Sequence, residues 1–204
     1  MYEGIKGGLH AELIRNRSFE EPTNVIGLSR HWERYPDDRN DDYALTFNYD
    51  DKHAYPEQRK IEPETKEHSL RVEAGDGVIE RHGIYQPRIP IRSGLEYRGY
   101  VWLRTTDYDG NVTVALESDS DQRLVYAVAN VARSGKGDWR RYEFSLRPTR
   151  NDPFARFAIL FPGRGTVWID QVSLMPADVA AGGVRREVFE KIKLLKPAFI
   201  RWPG

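Results

Sequence analysis

The stretch Gly165-Thr166-Val167-Trp168-Ile169-Asp170-Gln171-Val172-Ser173-Leu174 decides how the chain is read. Val167, Trp168, Ile169 and Val172 favour β-structure, and Gly163 and Gly165 supply a turn before them, so the spacing predicts one strand. Strict alternation puts Trp168, Asp170, Val172 and Leu174 on one side. Asp170 then stands among apolar neighbours, and a carboxylate there needs a cation, a metal or several donors. A bulge is the alternative, turning Asp170 outward.

Working back from this strand, short strands recur from Ser69 onward. They are expected at 69–73, 78–88, 95–105, 111–118, 123–132, 138–147, 155–162 and 166–175, separated by Gly-, Asn- and Asp-rich turns. Leu95, Tyr97, Val101 and Leu103 face one way, as do Val112, Val114 and Leu116. Tyr142, Phe144 and Leu146 form a third row, and Phe157, Ile159 and Phe161 a fourth. Half-buried antiparallel strands without intervening helices predict a mainly β fold, a jelly-roll β-sandwich. The segment before Ser69 is polar and punctuated by Pro22, Pro36, Pro56 and Pro63, and is read as loop, its acidic run at 37–42 lacking calcium-loop spacing. Leu9, Leu13 and Ile14 suggest a short N-terminal helix.

After Pro176 the period changes. Val184, Val188, Phe189, Ile192 and Leu195 make an apolar helical stripe ending before Pro197, and 198–202 reads as a buried strand. This α/β unit is foreign to a sandwich and suits a parallel barrel. The expected organisation is therefore a barrel segment at 1–15, a sandwich at 16–177, and a barrel helix and strand at 178–204.

The chain has 31 basic and 31 acidic residues, which points away from nucleic-acid and membrane-surface partners. It contains no cysteine, which excludes disulfides and thiolate chemistry. No run of about 18 apolar residues is present, so no transmembrane helix is expected, and no apolar stretch behind Met1 suggests a signal peptide. The compartment is left open, a secreted or periplasmic one being favoured. His10, His31, His53, His68 and His82 lack zinc-ligand spacing. The outward row of the strand at 95–105 is Glu96, Arg98, Tyr100, Trp102 and Arg104, with Gln86, Asn111, Thr113, Glu117, Arg141 and Glu143 in neighbouring rows. Aromatic rings ringed by hydrogen-bonding groups suit a glycan platform, and equally a surface docked on another domain.

Two ends of the chain match one pattern. GGLHAELIRNRSFEE at 7–21 resembles a stretch near the start of glycoside hydrolase family 51 α-L-arabinofuranosidases. LKPAFIRWPG at 195–204 resembles that family's second barrel strand. Between them, the SFE start, Ile84-Tyr85-Gln86, Tyr100-Val101-Trp102, Trp139 and TVWIDQVSL resemble a carbohydrate-binding module of the family 4/9 type. The resemblance implies a galactose-binding-like jelly roll flanked by incomplete pieces of a (β/α)8 barrel. It implies a retaining exo-glycosidase that removes terminal arabinofuranosyl groups from arabinan and arabinoxylan, with plant cell-wall polysaccharide and the rest of the barrel as partners. Retention needs two carboxylic acids about 5 Å apart; the family's two glutamates fall beyond Gly204, so this polypeptide is expected to be non-catalytic. Arg201 is implied as support for the nucleophile, or as a barrel-rim ion pair, and Glu12 as a rim or helix-surface acid. Gln86, Arg98, Tyr100, Trp102, Arg104 and Arg141 are the expected carbohydrate contacts. A structural calcium is implied at Glu20 and Asp170, with carbonyls near Asn16 and Ser18.

Overall fold

The computed structural model describes residues 10–22, 28–35, 45–51, 68–74, 81–121, 123–132 and 135–196. Arg201 and the expected strand at 198–202 lie outside them. Among the described residues ten strands form two five-stranded antiparallel sheets. One sheet has the order β1 (Glu33–Tyr35), β4 (Gly83–Ile91), β9 (Asp152–Leu160), β6 (Val112–Glu117), β7 (Val125–Ala132). The other has the order β2 (Leu45–Asp51), β3 (His68–Ala74), β10 (Gly165–Pro176), β5 (Tyr97–Tyr108), β8 (Gly135–Leu146). Inward residues of both sheets meet in one core that includes Val101, Leu103, Val114, Phe157, Ile159 and Ile169. Each such side chain, once buried, stabilises the fold by about 1.5–3 kcal/mol. The expected apolar rows all face this core, with Tyr142 and Leu95 at its margin. The fold is the expected mainly β sandwich.

The deciding strand departs from strict alternation. Val167 and Ile169 point into the core, and so do Val172 and Leu174, because the register with β5 shifts between Asp170 and Ser173. Gln171 absorbs the shift in the left-handed region at φ 46°, as a bulge requires. Trp168 and Asp170 are thereby turned to the outer face of the sheet, away from Val172 and Leu174. Gly165 opens the strand at φ +110°, where an added Cβ would lie 2.1 Å from the Asp107 carbonyl oxygen; the turn into it therefore requires glycine.

β1 and β2 arise from the segment expected to be loop. The N-terminal helix is absent among the described residues: His10 makes an isolated bridge to Val184, and residues 11–17 run beside the second half of β10. Leu13 N–H donates to the Leu174 carbonyl at 3.0 Å, and Val172 N–H donates to the Arg17 carbonyl at 3.0 Å. β10 has free ladder groups here because β3 pairs only with Gly165–Ile169. Residues 11–15, assigned to the barrel from sequence, are thus hydrogen-bonded to the sandwich. The C-terminal helix α1 (Arg186–Leu195) forms as expected and ends on Lys196 in a left-handed C-cap. No residue of α1 is buried, and Leu194 and Leu195 are 80% and 79% exposed.

Candidate functional site

The outer face of the β2-β3-β10-β5-β8 sheet carries aromatic rings and guanidinium groups in register. Trp168 pairs with Arg71 on β3 and Arg104 on β5, and both guanidinium groups lie over its ring, at 5.8 Å and 4.6 Å from the centroid. One row along, Trp102 pairs with Asp170 and Arg141. One row further, Tyr100 pairs with Ser173 and Glu143. The Tyr100 ring lies 4.0 Å from the Arg141 guanidinium and 5.7 Å from that of Arg17, whose Nη2 donates to the Tyr100 hydroxyl at 2.5 Å. Cation–π attraction favours these guanidinium positions over the aromatic rings. Trp102 and Trp168 are only 6% and 8% exposed, so the surface offered outward is mostly guanidinium, carboxylate and phenol.

Arg98 extends the row, bonded to Glu96 at 2.7 Å, and Glu96 also accepts from the Ser145 hydroxyl at 2.8 Å. Those two hydrogen bonds, Ser145 first, lower the pKa of the Glu96 carboxyl. Arg141 pairs with Glu143 at 3.3 Å. Five of the six expected carbohydrate contacts therefore share one face: Arg98, Tyr100, Trp102, Arg104 and Arg141.

Gln86 does not join them. It lies on β4 in the opposite sheet, fully buried, with its side-chain oxygen accepting from Arg15 N–H at 3.0 Å and its amide nitrogen donating to the Arg15 carbonyl at 2.6 Å. It staples the N-terminal segment and is unavailable to a glycan. Thr113 and Glu117 also belong to that other sheet, on β6, and Asn111 to the turn before it. Treating them as neighbours of Tyr100 fails because consecutive strands here cross between sheets.

Glu117 anchors a buried cluster on the far outer face. It receives Arg156 Nη2 at 2.9 Å and also Arg81, while the Arg156 guanidinium lies 4.4 Å from the Tyr35 ring and 4.8 Å from that of Tyr85. Tyr85 in turn donates to Glu33 at 2.9 Å. Glu117 and Arg156 are 0% and 1% exposed. This set was missed from sequence; the one signal was a charged residue at outward positions of two apolar strands.

Glu12 is a clamp and not a helix-surface acid. Its Oε1 accepts from the N–H groups of Ile14 and Leu174 at 3.0 and 2.9 Å, and its Oε2 from the Ser173 hydroxyl at 2.6 Å. The expected calcium ligands sit near the same seam. Asp170 is fully buried, with Oδ1 accepting from Gln171 N–H at 2.7 Å, and Glu20 is half-buried three residues beyond Arg17. Carboxylate oxygens of this type fit a hard cation. The Asn16 carbonyl does not, since it already accepts from Phe19 N–H at 3.3 Å and from the Trp32 indole at 3.2 Å. Among the described residues no group of three or more His, Cys, Asp or Glu side chains is placed to hold a metal.

No family model matches the chain. It is 30% identical to α-L-arabinofuranosidase 1 of Arabidopsis thaliana, over 97% of this chain and 29% of that protein. It is 29% identical to an extracellular exo-α-L-arabinofuranosidase of Streptomyces chartreusis, over 97% of this chain and 22% of that one. The chain thus spans under a third of the length of these relatives. Among solved structures it resembles a carbohydrate-binding module described as CBM4, with TM-score 0.56 and 16% identity, covering 80% of this chain and 99% of the module. It also resembles the CBM22-1 xylan-binding domain from Paenibacillus barcinonensis, with TM-score 0.53 and 10% identity, covering 84% and 97%. The relatives are named as arabinofuranosidases, and the solved neighbours share the β-sandwich fold of carbohydrate-binding modules.

Proposed function

We propose that this chain is the N-terminal part of a retaining, exo-acting α-L-arabinofuranosidase of the glycoside hydrolase family 51 type, in which a family 4/9-type sandwich interrupts a (β/α)8 barrel. The observation that carries this is the alignment of 97% of the chain within 29% of an arabinofuranosidase. Two features of the fold support it. The His10–Val184 bridge brings entry and exit of the sandwich side by side, as an inserted domain needs. The apolar side chains of α1 find no seat on the sandwich, as expected of a helix whose packing partner is a barrel. The polypeptide itself is non-catalytic in this reading, the two glutamates belonging to the barrel. Arg201 is assigned to the support of the nucleophile there.

The aromatic–arginine face is the glycan contact, with arabinan or arabinoxylan as the polymer. Titration of the 204-residue chain with arabinoxylan oligosaccharides, followed by tryptophan fluorescence, should saturate, and Arg141→Ala should weaken it. A flat titration removes the glycan assignment. Release of nitrophenol from a nitrophenyl arabinofuranoside by the same chain would overturn the non-catalytic one. A second reading, docking of this module on the rest of the barrel, is favoured at α1 by its exposed Leu194 and Leu195.

A structural calcium is part of the same proposal, held by Glu20 and Asp170, where it would tie the 16–20 loop to β10. Chelator should lower the melting temperature of the chain and leave that of Asp170→Asn unmoved. Equal melting with and without chelator in the wild-type chain rules the ion out.

A further inference from the structure

On the aromatic–arginine face four of five arginines already have a carboxylate. Arg17 lies 3.5 Å from Glu12, Arg98 2.7 Å from Glu96 and Arg141 3.3 Å from Glu143, and Arg71 bonds Glu73. Arg104 differs. Among the described residues no carboxylate comes within 4.0 Å of it, and its guanidinium lies over the Trp168 ring, 4.6 Å from the centroid. It is half-buried, so a full positive charge is held partly out of water, oriented by an aromatic plane and lacking an anion.

Arg71, on the other side of Trp168, also has its Nε buried with no acceptor among the described residues.

A neutral sugar hydroxyl would satisfy donors but not the charge. A carboxylate does both, because its two oxygens match the guanidinium fork in a charge-assisted pair. We propose that Arg104, stacked on Trp168, anchors the carboxylate of a uronic acid residue, so that this face selects acidic over neutral plant glycans. The inference rests on the glycan reading of the same face and specifies the class of sugar.

The test is calorimetric titration of the 204-residue chain with a glucuronic-acid-substituted arabinoxylan oligosaccharide. The comparison ligand is the same oligosaccharide after reduction of its carboxyl groups to alcohols. The native oligosaccharide should bind about tenfold more tightly at low salt, and the difference should shrink between about 0.02 and 0.2 M salt. Arg104→Gln should remove the difference, so that the native and reduced forms bind that variant alike, and Arg104→Lys should restore part of it. Equal affinity for both forms in the wild-type chain, or a difference that survives in Arg104→Gln, overturns the uronate anchor and leaves the glycan face standing. Failure of both forms to bind removes the glycan face and the anchor together.

Discussion

Glu117 and Arg156 show how a buried charge is tolerated in this sandwich. The carboxylate is ringed by two guanidinium groups, and the cluster's cationic plane lies against two tyrosine rings. Such a set contributes little net stability when complete, yet losing one member leaves charges stranded. Glu117→Ala should therefore cost about 3–5 kcal/mol in urea unfolding, whereas Glu143→Ala, on an exposed carboxylate, should cost under about 1 kcal/mol. Equal losses would contradict the buried role. Burial also raises the pKa of Tyr97 and Tyr108 above the usual 10.0. A raised folded-state value favours the neutral phenol in the native protein, so this stability is complete below pH 10 and falls as pH rises through the folded-state values. Alkaline titration followed by tyrosinate absorbance should show these two rings ionising only with unfolding, and Tyr108→Phe should move that transition.

At the scale of elements, the β10 bulge and the N-terminal segment act together. The bulge turns Asp170 outward, and residues 11–17 bond the half of β10 that β3 leaves open. Glu12 fixes the register by gripping Ser173 and Leu174. Glu12→Ala should speed amide hydrogen exchange at Leu13, Val172 and Leu174 and leave the β5–β8 ladder protected; uniform exchange across both regions would mean the clamp is not local. This seam was only partly legible in the sequence. The eight later strands could be read because alternation and turn residues agree there. The bulge could be raised but not decided, since Val172 and Leu174 fit either face until β5 sets the register. β1 and β2 were hidden because short polar segments become strands only by pairing with neighbours. Gln86, Thr113 and Glu117 were placed on the wrong face for another reason: sequence order says nothing of which sheet a strand joins. The aromatic–arginine row itself was legible, as one strand's alternation carries it.

For the whole molecule, the two outer faces are used differently. One is closed by a buried ionic cluster, and the other presents arginines stacked on indole and phenol rings. The second face is the one proposed to meet glycan, and its tryptophan indoles report on that contact directly. Trp102 and Trp168 lie on that face, whereas Trp32 is wholly buried and bonded to the Asn16 carbonyl. In a two-dimensional ¹H–¹⁵N spectrum titrated with arabinoxylan oligosaccharide, the indole N–H signals of Trp102 and Trp168 should shift saturably while that of Trp32 holds still. Stationary Trp102 and Trp168 signals at saturating oligosaccharide, or movement of Trp32 alone, would contradict glycan contact at this face.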